Sequence, residues 1–122
     1  MSSVLNGKNI HLVDDDPDIL LAVKYVLEEF HAKVKTSSSS KDALEEIKED
    51  KPDLVILDLM MPEMDGLDMC RLLREEPSLE KLKIIIFSGK TYEHDQQRAM
   101  DYGADGYLIK PLRPASLVER AL

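Results

Sequence analysis

Residues 51–66 read Lys-Pro-Asp-Leu-Val-Ile-Leu-Asp-Leu-Met-Met-Pro-Glu-Met-Asp-Gly. The apolar run 54–57 is short and uninterrupted, which marks a strand buried on both faces, as in a parallel sheet. An acid, Asp58, follows it directly. The same arrangement recurs in both directions along the chain. Residues 10–13 (IHLV) precede Asp14, Asp15 and Asp16; residues 84–87 (IIIF) precede Ser88; residues 107–109 (YLI) precede Lys110 and Pro111. A weaker, alternating run at 32–36 (AKVKT) predicts an edge strand.

Amphipathic stretches of helical length lie between these runs. Ile19, Leu20, Val23, Val26 and Leu27 share one face of a helix predicted over 17–30. Ala43, Leu44 and Ile47 mark a second helix, Leu67, Cys70 and Leu73 a third, residues 93–102 a fourth and residues 114–122 a fifth. Asp16 before Pro17 is an N-cap before a first-turn proline, and Ser39 with Asp42 forms a capping box. Pro77 is expected to end the third helix and Gly103 to cap the fourth. Strands alternating with helices imply a parallel sheet covered on both faces. In such sheets, sites form beyond the carboxyl ends of the strands.

The strand ends therefore carry the chemistry: Asp14, Asp15 and Asp58, the hydroxyl of Ser88 and the ammonium of Lys110. Carboxylates crowded together do not all ionise cheaply without a cation. An all-oxygen set with few protein ligands suits magnesium, with manganese as a substitute. A carboxylate is already ionised at neutral pH and can receive a phosphoryl group as a nucleophile. A lysine and a divalent cation would neutralise the phosphoryl oxygens, and a hydroxyl would donate to them.

Four segments carry a resemblance: VDDDP at 13–17, LDLMMPEMDG at 57–66, IFSG at 86–89 and GADGYLIKP at 103–111. In order and spacing they resemble response-regulator receiver domains over nearly the whole chain. The resemblance implies an α/β, (βα)5 flavodoxin-like doubly wound sandwich with a five-stranded parallel sheet ordered 2-1-3-4-5. It implies that Asp58 is the phosphoacceptor, that Asp15 ligates the metal directly, that Asp14 holds the ion, and that the Met60 backbone carbonyl is a further ligand. By the same resemblance Lys110 pairs with the acceptor and then the phosphoryl group, and Ser88 and Tyr107 are switch residues. The Lys110–Pro111 bond is expected to be cis, as in the family. The phosphoryl donor would be a sensor histidine kinase or a histidine phosphotransfer protein. The output face would be the fourth helix, fifth strand and fifth helix, read by a downstream effector or output domain, or by a second copy in a phosphorylation-dependent homodimer. Residues 113–120 (RPASLVER) match only in part the receivers that dimerise through this face. Gly89 stands where the family usually has alanine. Met60 and Lys90, two residues beyond Asp58 and Ser88, place attacking water poorly, so slow hydrolysis of the acyl phosphate is expected.

Three other readings compete with this one. A haloacid-dehalogenase-like phosphatase would use Asp14 as nucleophile and Asp16 as acid, but residues 112–122 offer only Glu119 where a second acidic pair is needed. A pseudo-receiver would be an interaction module without phosphorylation, which the complete set of acids, hydroxyl and lysine argues against. A flavodoxin's first loop would cradle a phosphate, which Asp14 to Asp16 would repel.

Composition agrees with one globular domain over residues 1–122, and the chain ends within the expected fifth helix, so a truncated fifth helix is one expectation. Apolar residues are 43% and charged residues 33% of the chain. No apolar run approaches the roughly 20 residues of a membrane span, and no secretory signal is read at the N-terminus, so a cytoplasmic location is expected. The single cysteine, Cys70, excludes an internal disulfide and fits a reducing compartment. A net charge of −8 makes direct nucleic-acid binding by this chain unexpected. His11, His31 and His94 lack metal-ligand spacing.

Overall fold

The computed structural model describes residues 5–89 and 93–110. Strands and helices alternate as β1 (Asn9–Val13), α1 (Pro17–Glu29), β2 (Lys33–Ser37), α2 (Ser40–Asp50), β3 (Leu54–Asp58), α3 (Gly66–Arg74), β4 (Lys83–Ser88), α4 (Glu93–Asp101) and β5 (Gly106–Ile109). All strand pairs are parallel and the sheet order is β2-β1-β3-β4-β5. This is the flavodoxin-like order expected from the sequence. The fifth helix expected over 114–122, the partial dimerisation motif at 113–120, the cis bond at Pro111, and Lys90 lie outside the described residues.

The order places β3 at the centre, and all five of its residues are buried. Its uninterrupted apolar run needs cover on both faces, and alternation along the strand divides that run between them. Val55 and Leu57, with Ile84 and Ile86 of β4, pack against Ala43 and Ile47 of α2, Cys70 and Leu73 of α3, and Ala99 of α4. Leu54 and Ile56, with Ile85 and Phe87, pack against Leu20, Val23 and Leu27 of α1. Each such large apolar side chain contributes about 1.5–3 kcal/mol on burial.

Local chemistry fixes where the helices begin and end. Asp16 accepts the Asp18 N–H at 2.9 Å, with Pro17 in the first turn. Ser39 accepts the Asp42 N–H at 3.4 Å. After α4, Gly103 adopts φ +104, and Ala104 N–H returns to Ala99 O at 3.0 Å. That is the left-handed closure for which glycine is preferred.

Two boundaries differ from expectation. The edge strand runs one residue later than 32–36, because Ala32 is drawn into the α1 cluster. Pro77 does not terminate α3: the helix stops at Arg74, and Pro77 instead opens a short 3-10 turn, Pro77–Leu79. A proline forces its predecessor out of the helical region. Glu76 is accordingly extended at φ −87, ψ 111, so the helix must close before it.

Arg74 accounts for the position of that closure. Its guanidinium donates to Leu82 O at 2.6 Å and Gly103 O at 2.8 Å, and it pairs with Asp105. The Asp105 carboxylate also accepts the Ile84 N–H at 2.8 Å. One side chain thus ties the end of α3 to the entry of β4 and the α4–β5 turn.

Candidate functional site

Parallel pairing brings the carboxyl ends of β1, β3, β4 and β5 to one edge. Asp14 follows β1, Asp58 ends β3, Ser88 ends β4 and Lys110 follows β5. Asp14 and Asp58 are nearly sealed from solvent, at 1% and 6% exposure, whereas Asp15 is exposed. Carboxylate oxygens from Asp14, Asp15 and Asp58 lie within 4.8 Å of one another. Lys110 reaches across from the far side: its Nζ is 3.0 Å from Asp14 Oδ2 and 3.3 Å from Asp58 Oδ1. Its ammonium also stands 5.1 Å from the centre of the Phe87 ring, within cation–π reach.

The electrostatics follow from this crowding. Burial, then the neighbouring Asp14 charge, push the Asp58 carboxyl above its ordinary range. Lys110 and the Met60 backbone N–H pull it back only in part. For Lys110, burial works against the ammonium, but its bond to Asp14 and the charges of Asp58 and Asp14 outweigh that and hold its pKa above the ordinary value. One ammonium faces three carboxylates. The residual negative charge and the all-oxygen donor set fit a hard divalent cation.

Backbone geometry shapes the pocket. Gly66, the first residue of α3, donates its N–H to Leu59 O at 2.9 Å. A Cβ there would lie 2.5 Å from the Asp58 carbonyl oxygen. Asp65 caps the helix by accepting the Asp68 N–H at 2.9 Å. Asp65 and Gly66 thus cap and open α3, and the sequence did not disclose how closely that helix approaches Asp58.

Ser88 and Tyr107 are buried, at 2% and 5% exposure, and Tyr107 belongs to the core cluster beneath α2, α3 and α4. Lys110 N–H donates to Ser88 O at 2.8 Å, which fixes the lysine beside the end of β4. The Met60 side chain is 59% exposed, whereas Met61 and Met64 pack on the core cluster. Asp16 is a helix cap, as read. Asp14 has one oxygen on the Asp16 N–H at 2.9 Å and the other on Lys110. Both oxygens of the acid that would be a phosphatase nucleophile are thus engaged, and Asp16 is committed to capping. Cys70 is fully buried, which pushes its thiol up to about 11.

The sequence model described as the response regulator receiver domain matches residues 10–122. The chain belongs to the response-regulator receiver-domain family. This receiver domain is 34% identical over 114 residues to the alkaline phosphatase synthesis transcriptional regulatory protein PhoP of Bacillus subtilis, covering 93% of this chain and 47% of PhoP. It is 36% identical to a 14.6 kDa protein of Leptolyngbya boryana, covering 90% of this chain and 84% of that one. Among solved structures it resembles the chemotaxis protein CheY4 of Vibrio cholerae with TM-score 0.88 and 26% identity, covering 95% of this chain and 99% of that one. The receiver domain thus spans about half the length of PhoP. The phosphatase and pseudo-receiver readings are not favoured.

Proposed function

We propose that Asp58 accepts a phosphoryl group from a phosphohistidine of a sensor kinase or histidine phosphotransfer protein. The observation that carries this reading is the convergence of Lys110 on Asp14 and Asp58 within hydrogen-bond distance. An Asp58 carboxylate oxygen attacks phosphorus, the phosphorus–nitrogen bond of the donor breaks, and the imidazole leaves and takes a proton from solvent. The product is an acyl phosphate on Asp58. Lys110 shifts from the carboxylates to the phosphoryl oxygens, and Ser88 donates its hydroxyl to one of them. Asp14, Asp15, Asp58 and the Met60 carbonyl would hold magnesium or manganese. When bound, the metal supplies positive charge against the phosphoryl oxygens. Tyr107 follows Ser88, and the face formed by α4, β5 and the expected fifth helix changes its population of states. A downstream effector, an output domain or a second copy reads that face. The similarity to PhoP, a transcriptional regulatory protein, supports an output partner of that kind. We assign the domain to the cytoplasm, in keeping with its lone buried cysteine.

Intact-mass measurement and peptide mapping after incubation with magnesium and acetyl phosphate tests the assignment. A hydroxylamine-labile phosphoryl group on Asp58, lost in Asp58→Ala, is the expected result. Label on Asp14 would move the assignment to phosphatase chemistry, and an unlabelled chain would end the phosphoacceptor reading.

A further inference from the structure

At the opposite edge of the sheet, the segments that lead into β1, β3 and β4 enclose a second cavity of about 370 Å³. Lys8, Lys51, Lys81 and Lys83 line it. The floor is apolar, formed with Leu5, Leu54, Leu79 and Leu82, each buried. Asp53 is the carboxylate among the lining residues, and its Oδ2 accepts the Asn9 N–H at 2.8 Å. Among the described residues none of these four lysines is paired with a carboxylate, whereas Lys35, Lys41 and Lys110 are.

The concentration is unusual for a chain of net charge −8. Lys8, Lys51 and Lys81 lie in the segments before β1, β3 and β4, and Lys83 opens β4, so four lysines from three segments meet one carboxylate, Asp53, in the lining. Four lysines against one carboxylate leave the lining with a positive balance, which an anion between them would offset. Lysine is a compact point charge suited to phosphate oxygens. The volume lies within the roughly 300–1,000 Å³ of small-molecule clefts. A leucine floor gives no partner to a bare inorganic anion but would bury the ring or apolar body of a larger one.

We propose that this cavity is a second ligand site, for a phosphorylated small molecule of nucleotide size, with its phosphates on the lysines and its body on the leucine floor.

The test is a titration of the full chain, labelled with nitrogen-15, by ATP and then by inorganic tripolyphosphate, in EDTA so that no metal bridges the anion to the acidic edge. ATP should produce saturable amide shifts at Lys8, Lys51, Leu82 and Lys83, and should bind about tenfold tighter than tripolyphosphate. Lys81→Gln combined with Lys83→Gln should weaken ATP by about tenfold or more without lowering the melting temperature. Lys8→Gln repeats the test from a separate segment should that pair fail to fold. Three results would overturn the proposal: no saturable shift, shifts centred on Asp14 and Asp58, or unchanged affinity in the variants. Equal affinity for tripolyphosphate and ATP would overturn the role of the leucine floor and leave a bare anion site.

Discussion

Asp58 is held between opposing influences, and the sign of their sum can be measured. Burial and Asp14 together outweigh Lys110 and the Met60 N–H, so its folded-state pKa lies above the ordinary 3.8 of the unfolded chain. Between those two values the folded state binds more protons than the unfolded one. The corresponding stability is fully present below the unfolded value and is lost as pH rises through the folded value. At neutral pH without metal the ionised Asp58 is therefore destabilising. Asp58→Asn should raise stability in EDTA at pH 7 by about 1 kcal/mol, the ordinary scale of a single substitution. Saturating magnesium should stabilise the parent more than the variant. Urea denaturation of both proteins, with and without magnesium, checks this, and a variant less stable than the parent in EDTA would contradict it. On the proposed function, Met60 would lengthen the lifetime of the phosphorylated state. Its exposed apolar side chain stands two residues from the acceptor and offers water no hydrogen bond. Met60→Asn should shorten the phosphoryl half-life, read as decay of the intact-mass adduct after removal of acetyl phosphate. An unchanged or longer half-life would exclude that role.

Helix α3 is seated directly against the phosphoacceptor strand. Its first residue lies so close to the Asp58 backbone that a single methyl group has no room, and the obstructing atoms are backbone rather than a flexible side-chain tip. Gly66→Ala should cost about 1–3 kcal/mol through overpacking, despite the better helix propensity of alanine. It should also slow phosphorylation of Asp58, because relief of the clash displaces the residue that carries the nucleophile. Denaturation together with the rate of acetyl-phosphate labelling measures both. An alanine variant of unchanged stability would show that the loop before α3 yields freely. The helix boundaries themselves were largely legible, since Asp16, Ser39 and Gly103 signal caps through chemistry confined to a few neighbouring residues. The end of α3 was not, because the contacts of Arg74 lie 8 to 31 residues away in sequence.

Across the whole molecule, cover is uneven. β3 is buried throughout, whereas β2, at the edge of the sheet, is largely exposed. Native-state hydrogen exchange should therefore find the slowest amides in β3 and its neighbours β1 and β4, at or near the global unfolding free energy, with β2 opening at lower free energy. Exchange in β2 as slow as in β3 would mean that the edge is held as firmly as the centre. The gradient suits a switch whose site sits where the firm central strands end.

Much of this protein is written in local sequence. Short apolar runs required buried parallel strands, and the acids, hydroxyl and lysine that follow those runs were visible as neighbours in the chain. Only the tertiary structure decided which of them meet. Lys110 lies 96 residues from Asp14 and 52 from Asp58, and sheet order and register bring its ammonium between them. The approach of Gly66 to Asp58, the Arg74 network and the lysine-lined cavity at the far edge depend on the same long-range placement. The physical reason is the same in each case. Periodicity and capping are set by interactions over a few residues, whereas distances between strand ends are set by how the strands pair.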